Sequence, residues 1–256
     1  MKLRFAGASH VGHRRTNNED SYAILPEYGL FAVADGMGGY LAGEVASRMA
    51  VDSVREFFEE TRDDEDITWP YREEETLSYD ENRLSVAIKL ANGLIYRTAQ
   101  RDPKCKQMGT TIVTALFSDS GLAVAHVGDS RAYLLRDGAL RQLTEDHSLL
   151  NDFRKLHPSV TEADLTGFRY KNVIVRALGM QDHVDVELQR HVPQPGDLYV
   201  LCSDGLTGDV PDPELEAVLT SRNGDLCVAA QHLVEVACEH GGRDNVTVVL
   251  VEVDEW

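Results

Sequence analysis

The chain has 256 residues, a formal net charge of -18 and 43% hydrophobic residues. This length and apolar content predict a single folded domain over residues 1–256. The negative charge argues against nucleic acid or an anionic membrane as partner, because both need a positive protein face. No stretch approaches the roughly 20 apolar residues of a spanning helix, and the start of the chain lacks the apolar run of a signal peptide. We therefore expect a cytoplasmic protein and, by default, a monomer.

The first part of the chain predicts strands followed by two helices. Apolar or alternating runs indicate strands at residues 3–9, 21–25 and 30–34. Apolar residues at helical spacing predict amphipathic helices at 43–60 and about 82–100. An acidic insertion at about 61–81 separates the helices. We interpret it as a solvated surface loop, with a docking site for a basic partner as the alternative.

The rest of the chain mixes short strands with helices. Strands are predicted at 110–117, 122–127, 131–136, 139–143, 172–176, 184–191, 197–202 and 245–253. Helices are predicted at about 213–219 and 226–239, and residues 149–170 read as a partly helical excursion. This order indicates an α+β fold with mostly antiparallel sheets.

Six carboxylates stand where apolar strands are predicted to begin or end: Glu19, Asp20, Asp35, Asp129, Asp204 and Asp244. Asp35 and Asp204 each close an apolar run and are followed by glycine, which predicts a turn where carboxylate and carbonyl oxygens face one point. Oxygen ligands suit Mg²⁺ or Mn²⁺. Because six like charges at one sheet end repel one another, the cluster predicts more than one cation. Two such metals can bridge a water and promote hydrolysis of a phosphate ester.

Arg15 lies close in sequence to Glu19 and Asp20. Its planar, permanently charged guanidinium is suited to phosphate oxygens, so we interpret it as the phosphate-binding residue. The alternative is that residues 12–20 form an exposed polar loop with weak local ion pairs.

Eight motifs in order resemble those of one family. They are R-x-x-N-E-D at 15–20, A-D-G-M-G-G at 34–39, G-T-T at 109–111, V-G-D-S-R at 127–131, L-T-E-D-H-S at 143–148, R-A-L-G at 176–179, S-D-G-L at 203–206 and D-N-V-T at 244–247. Together they are similar to the motifs of bacterial metal-dependent protein phosphatases of the PP2C (PPM) family. The resemblance covers essentially the whole chain.

The resemblance implies a four-layer αββα sandwich that hydrolyses phosphoserine and phosphothreonine in proteins with Mn²⁺ or Mg²⁺. It implies that a water or hydroxide bridging the two metals is the nucleophile and that no phosphoenzyme forms. By motif, Asp35 would bridge the metals, Asp204 and Asp244 would complete the first, and Glu19 with the Gly36 carbonyl would contribute to the second. Asp20 would orient the water and Arg15 would hold the phosphate. Asp129 with Asp204 resembles the ligand pair of a third, weaker metal.

Three features depart from the family or carry no assigned chemistry. Met37 stands where many eukaryotic relatives have a histidine proposed as general acid, so a water or another group must protonate the leaving group. The flap segment at about 149–171 lacks the usual glycine and acidic pattern, which leaves substrate choice open. His147 lies in L-T-E-D-H-S, which is interpreted as a structural motif.

Two other function classes remain open. A non-catalytic scaffold could bind phosphoproteins, although the intact Asp35, Asp204 and Asp244 weigh against it. A phosphatase of small phosphoesters is the third hypothesis. For the leading hypothesis the partners are phosphorylated proteins, the products of a Ser/Thr kinase.

Overall fold

The structure is a computed structural model that describes residues 1–38, 42–62, 69–161, 165, 170 and 173–256. The strands of these residues form two antiparallel sheets. The first has the order β1-β11-β10-β7-β8, with β1 (Lys2–His10), β7 (Arg131–Arg136), β8 (Ala139–Gln142), β10 (Leu198–Cys202) and β11 (Val246–Glu255). The second has the order β2-β3-β5-β6-β9, with β2 (Asp20–Leu25), β3 (Leu30–Met37), β5 (Ile112–Ser118), β6 (Gly121–Val127) and β9 (Glu187–His191). The short β4 (Gly109–Thr110) pairs with β3.

The helices of the described residues are α1 (Ala42–Glu60), α2 (Tyr79–Arg101), α3 (Leu149–Leu156), α4 (Asp204–Thr207), α5 (Asp212–Thr220) and α6 (Leu226–Glu239). Short 3₁₀ turns occupy Pro26–Tyr28 and Pro103–Cys105. None of the helices within the described ranges combines the length and apolar character that a membrane crossing needs.

Side-chain alternation along the strands builds an apolar core on each face of each sheet. Successive residues of a strand point to opposite faces. Phe31 of β3 therefore packs between the sheets with Tyr199 of β10 and Val249 of β11. Leu30 and Ala34 of the same strand point to the opposite face and pack in the separate core beneath α1 and α2.

The first sheet is covered in the same way on its outer face. Val200 and Leu250 pack with Leu215 of α5 and Leu233 of α6. Helices thus cover both outer faces of two stacked sheets. The αββα sandwich expected from the resemblance is confirmed.

Helix α2 begins three residues earlier than predicted because a capping box fixes its start. The Ser78 hydroxyl accepts a hydrogen bond from the Glu81 N–H at 3.3 Å, and the Glu81 carboxylate accepts one from the Ser78 N–H at 2.6 Å. Before this cap, residues 69–78 of the acidic insertion form turns and irregular backbone up to the first helical turn. Residues 63–68 lie outside the described part of the chain.

Two strand predictions need correction. Within residues 173–176 only Ile174 pairs, in a single bridge with Ser148. The ladder cannot extend because Ser148 is already the N-cap of α3. The strand predicted at 184–191 begins at Glu187, whose partner on β6 is His126. Since β6 ends at Val127, which lies opposite Val186 in this register, the residues before Val186 have no β6 residue beside them.

The flap segment is helical in its first part. Helix α3 occupies Leu149–Leu156, in agreement with the predicted partly helical excursion. Residues 162–164, 166–169 and 171–172 of that segment, and Gly39 of the A-D-G-M-G-G motif, lie outside the described residues.

Candidate active site between the sheets

Asp35 lies inside β3, not beyond its end as the sequence predicted. The strand continues to Met37 because β4 pairs with its last residues, with Gly36 opposite Thr110. The neighbouring strand β2 places Asp20 directly opposite Asp35. One antiparallel pair therefore delivers two carboxylates to the same end of the second sheet.

Gly36 sits in a space that admits no side chain. A Cβ at this position would lie 2.1 Å from the Gly43 carbonyl oxygen and 2.6 Å from the Glu19 carbonyl oxygen. The Gly36 N–H donates to the Glu19 carbonyl at 3.0 Å. A Cβ at Gly43, at the start of α1, would in turn lie 2.9 Å from Glu19 Oε1. The glycines thus let the Glu19 carboxylate and the Gly36 backbone approach the same helix end.

The first sheet brings the remaining acids to the same place. Asp204 is the first residue of α4, two residues after β10, and Asp244 lies two residues before β11. A hydroxyl bridge joins the sheets. Ser203 Oγ donates to Asp20 Oδ2 at 2.7 Å and accepts a hydrogen bond from the Thr247 N–H at 2.9 Å.

The electrostatics of the cluster oppose ionisation of its acids. Burial, together with the charges of Asp204 and Asp244, raises the pKa of Asp20 to about 7 against the hydrogen bonds that it accepts. Burial and the Asp204 charge raise the pKa of Asp129 to about 7. Burial followed by the neighbouring carboxylates raises the pKa of Asp35 well above its usual range, and burial with the Asp244 charge raises that of Asp204. Burial also raises the pKa of Glu19, although Arg15 opposes the shift.

Two carboxylate oxygens of the cluster lack a hydrogen-bond partner within the part of the chain that the structure describes. Asp20 Oδ1 and Asp129 Oδ1 are buried and make no hydrogen bond to the described residues. A buried, unpaired acceptor surrounded by like charges is costly, whereas a divalent cation would satisfy it. All the donors are oxygens, which is the set that Mg²⁺ and Mn²⁺ prefer. The residues present therefore fit a magnesium or manganese site.

Arg15 lies at the rim of the cluster. Its Nη2 donates to Asp244 Oδ2 at 2.7 Å, and half of its side chain, 51%, is exposed. The hydrogen bond to Asp244 is the main cause of its raised pKa, and the charges of Glu19 and Asp35 act in the same direction. The guanidinium is thus held beside the acids with a face open to solvent.

Sequence reasoning missed the polar residues that hold the acids in place. The buried Asn245 accepts from the Glu19 N–H at 2.8 Å and donates to the carbonyls of Val11 and Asn17 at 2.9 Å. Thr111 Oγ1 accepts from the Asp35 N–H at 3.1 Å and contacts the Ser130 hydroxyl at 2.7 Å. A sequence signal was present, because each of these residues stands beside a carboxylate or in a recognised motif.

A cleft of about 500 Å³ opens beside the cluster. Asp129 and Asp204 line one end, and residues of α3 line another part. Arg131, also in the lining, donates to both carboxylate oxygens of Asp146 at 2.9 and 2.7 Å. The cleft gives a molecule larger than phosphate room next to the acids.

The buried cluster of oxygen donors at one end of the stacked antiparallel sheets indicates the class of proteins that bind divalent cations. A family model described as "Protein phosphatase 2C" matches residues 6–236. This chain therefore belongs to the protein phosphatase 2C family.

Relatives with known names and structures agree. The chain is 38% identical over 250 residues to the serine/threonine phosphatase stp of Listeria monocytogenes, covering 95% of this chain and 93% of that protein. It is similar to the crystal structure of the Mycobacterium tuberculosis serine/threonine phosphatase PstP/Ppp, with a TM-score of 0.84, 34% identity and 99% of each chain covered. A structure of the PstP catalytic domain in complex with two manganese ions matches with a TM-score of 0.78, 33% identity and 99% of each chain covered.

Proposed function

We propose that this chain is a protein serine/threonine phosphatase that hydrolyses phosphoserine and phosphothreonine in proteins with Mn²⁺ or Mg²⁺. The observation that carries the proposal is the convergence of carboxylates from both sheets around carboxylate oxygens that have no hydrogen-bond partner among the described residues. The relatives named above support the same chemistry, since they are serine/threonine phosphatases and one structure contains two manganese ions. A Ser/Thr kinase as the source of substrates, a monomeric state and a cytoplasmic location remain predictions.

The proposed ligands divide into groups according to the part of the fold that carries them. Asp35, central in the cluster, would be shared by two ions. Asp204 and Asp244, from the first sheet, would complete one ion site. Glu19 and the Gly36 carbonyl, which share the space at the start of α1, would serve the other. Asp129 with Asp204 would hold a third, weaker ion.

Ions bound here would supply Lewis acidity toward the phosphate and would lower the pKa of a water. The chain itself orients that water. Asp20 is held by the Ser203 hydroxyl through Oδ2, so its Oδ1, which has no partner among the described residues, can accept a hydrogen bond from a water in a fixed direction. This restriction of orientation favours attack on the phosphorus atom.

Arg15 would bind the substrate phosphate. Its guanidinium is half-exposed, so it can turn from Asp244 toward phosphate oxygens while Asp244 turns to a metal. Met37, at the end of β3, carries no acid group, and we propose that a water protonates the leaving alkoxide.

The experiment is hydrolysis of a phosphothreonine peptide by the wild type and Asp204→Asn, with EDTA, Mg²⁺ and Mn²⁺ in parallel. The matched control is Asp119→Asn, the same charge change at an exposed turn between β5 and β6. We expect metal-dependent turnover that collapses only in Asp204→Asn. A folded wild type without turnover at every metal concentration would favour the phosphoprotein-binding scaffold. Preferential turnover of a small phosphoester over the peptide would favour the third hypothesis.

A further inference from the structure

A second group of titratable side chains lies behind Asp129. His126 on β6, Glu187 opposite it on β9, and His147 have ligand atoms within 4.8 Å of one another. Both histidines are buried, and their rings stack with centroids 4.6 Å apart and planes inclined by 14°. The proposed hydrolysis uses none of these residues.

Hydrogen-bond directions show that this group is not arranged as a metal site. The Gly128 N–H donates to His147 Nδ1 at 3.0 Å, so that nitrogen carries a lone pair. A neutral imidazole has one proton, which must then lie on Nε2. From there it is donated to Glu187 Oε2 at 3.2 Å. His147 thus has no free lone pair with which to bind a metal.

Arg176 could favour the other tautomer, with the proton on Nδ1, because its Nη1 lies 3.2 Å from the same His147 Nε2. With the proton on Nε2, the ring satisfies both Gly128 and Glu187. With the proton on Nδ1, the imidazole would accept a hydrogen bond from Arg176 but would make none to Gly128 or Glu187. Its Nδ1–H would then face the Gly128 N–H, so that two donors would oppose each other. The Nε2–H form makes more hydrogen bonds, and Arg176 Nη1 has the Asp185 carbonyl at 3.3 Å as an acceptor.

His147 holds Gly128 from two sides. Besides accepting from the Gly128 N–H, it donates its own backbone N–H to the Gly128 carbonyl at 3.0 Å. Gly128 has a φ of +108°, and a Cβ there would lie 2.6 Å from the Thr111 side chain. The peptide that follows carries Asp129, whose buried Oδ1 has no hydrogen-bond partner in the described part of the chain.

We propose that His147, as the Nε2–H form, is a positioning residue that fixes the Gly128–Asp129 peptide so that the Asp129 carboxylate faces the metal cluster. The inference rests on the proposed function, since it assumes that Asp129 contributes to a metal site. His147 is itself held from the other side. Its carbonyl accepts from the Val175 N–H at 2.9 Å. A positioning role through a fixed tautomer is how residues behind metal ligands commonly act.

The test compares two amide substitutions, each of which places a polar group near only one of the two imidazole nitrogens. His147→Asn places a carbonyl oxygen near the Nδ1 position and can still accept from Gly128. His147→Gln places its amide near Nε2 and loses that acceptor. Binding of Mn²⁺ is measured by the electron paramagnetic resonance signal of the free ion. We expect His147→Gln to weaken the most weakly bound Mn²⁺ about 10-fold, in the range usual for residues behind a ligand. His147→Asn should remain close to the wild type.

Further variants keep the test decisive. Asp129→Asn sets the scale for loss of the carboxylate, and circular dichroism checks folding. If His147→Gln does not fold, Glu187→Ala replaces it, because this partly exposed residue accepts the Nε2 proton of His147 and so orients the ring. It should weaken the same Mn²⁺ to a smaller extent. Equal binding by His147→Gln and the wild type, or by Glu187→Ala and the wild type where the first variant is unfolded, would overturn the proposal.

The outcome is separable from that of the proposed function. If Asp129→Asn binds Mn²⁺ like the wild type, the positioning role fails even where the wild type hydrolyses phosphopeptide. If the wild type has no phosphatase activity but the variants differ as expected, the positioning role stands and the phosphatase proposal fails.

Discussion

Replacing Asn245 by alanine should both destabilise the protein and weaken substrate binding. The side chain is 4% exposed and makes three hydrogen bonds to the loop before β2, to the Glu19 N–H and to the carbonyls of Val11 and Asn17. Arg15 belongs to that loop. Asn245→Ala therefore removes three of the hydrogen bonds that connect the start of β11 with this loop.

The size of the effect follows from these bonds. Each contributes about 1 kcal/mol net, so the free energy of unfolding should fall by about 3 kcal/mol. For a chain of this size, 1 kcal/mol shifts the melting temperature by about 2–4 °C, which predicts a decrease of about 6–12 °C. The KM for a phosphothreonine peptide should rise because the loop that carries Arg15, the proposed phosphate-binding residue, is held less firmly beside the acids.

Urea unfolding, thermal melting and steady-state kinetics measure these effects. Asn223→Ala is the matched control, because Asn223 is exposed in the loop between α5 and α6. The control should unfold like the wild type. If Asn245→Ala is as stable as the control and has an unchanged KM, the hydrogen bonds do not hold the loop and this reasoning is refuted.

Other parts of the molecule give further expected outcomes. Arg15→Ala should raise the KM for phosphopeptide more than it weakens Mn²⁺ binding in a titration, and equal losses would count against its phosphate role. Ser203→Ala should lower the free energy of unfolding in urea by about 1–3 kcal/mol, because the buried Thr247 N–H loses its acceptor; unchanged stability would contradict this. Burial alone would raise the pKa of Asp197, but its hydrogen bonds with Arg136 lower it below the usual range. A lowered folded-state pKa stabilises the protein above the unfolded value of about 4, and this contribution is lost as the pH falls through the folded-state value. The stability difference between wild type and Asp197→Asn in urea should therefore be constant near neutral pH and shrink in acid below about pH 4, whereas a constant difference down to pH 2 would exclude this role. Mn²⁺ should raise the melting temperature of the wild type relative to EDTA, since an ion that binds only the folded state stabilises it, and an unchanged midpoint would argue against a metal site.

Local patterns were sufficient to predict most elements. The amphipathic spacing of α1 predicted its start within one residue, and the apolar run of β10 predicted that strand within one residue. Both signals are local, since the residues that define the element also lie in it. The prediction for 172–176 was wrong because an apolar run forms a strand only beside a partner, and Ser148 begins a helix instead.

In the candidate site, too, local sequence signals were sufficient for some residues, whereas others depend on contacts between distant parts of the chain. The acids were predicted because six carboxylates, each beside an apolar strand, are an unlikely coincidence, although a single Asp-Gly is usually only a turn. The continuation of β3 through Asp35 depended on pairing with β4, which is distant in the sequence. Asn245 and Ser203 were missed because their importance lies in hydrogen bonds across the two sheets. Residue type alone does not reveal such partners.

The most direct test of a two-metal site in this cluster is anomalous diffraction from crystals of the wild-type protein grown with Mn²⁺. We predict two strong manganese peaks sharing Asp35, one next to Asp204 and Asp244 and the other next to Glu19 and the Gly36 carbonyl. Ordered protein without manganese between these carboxylates, or with manganese only at His126, His147 and Glu187, would contradict the proposed site.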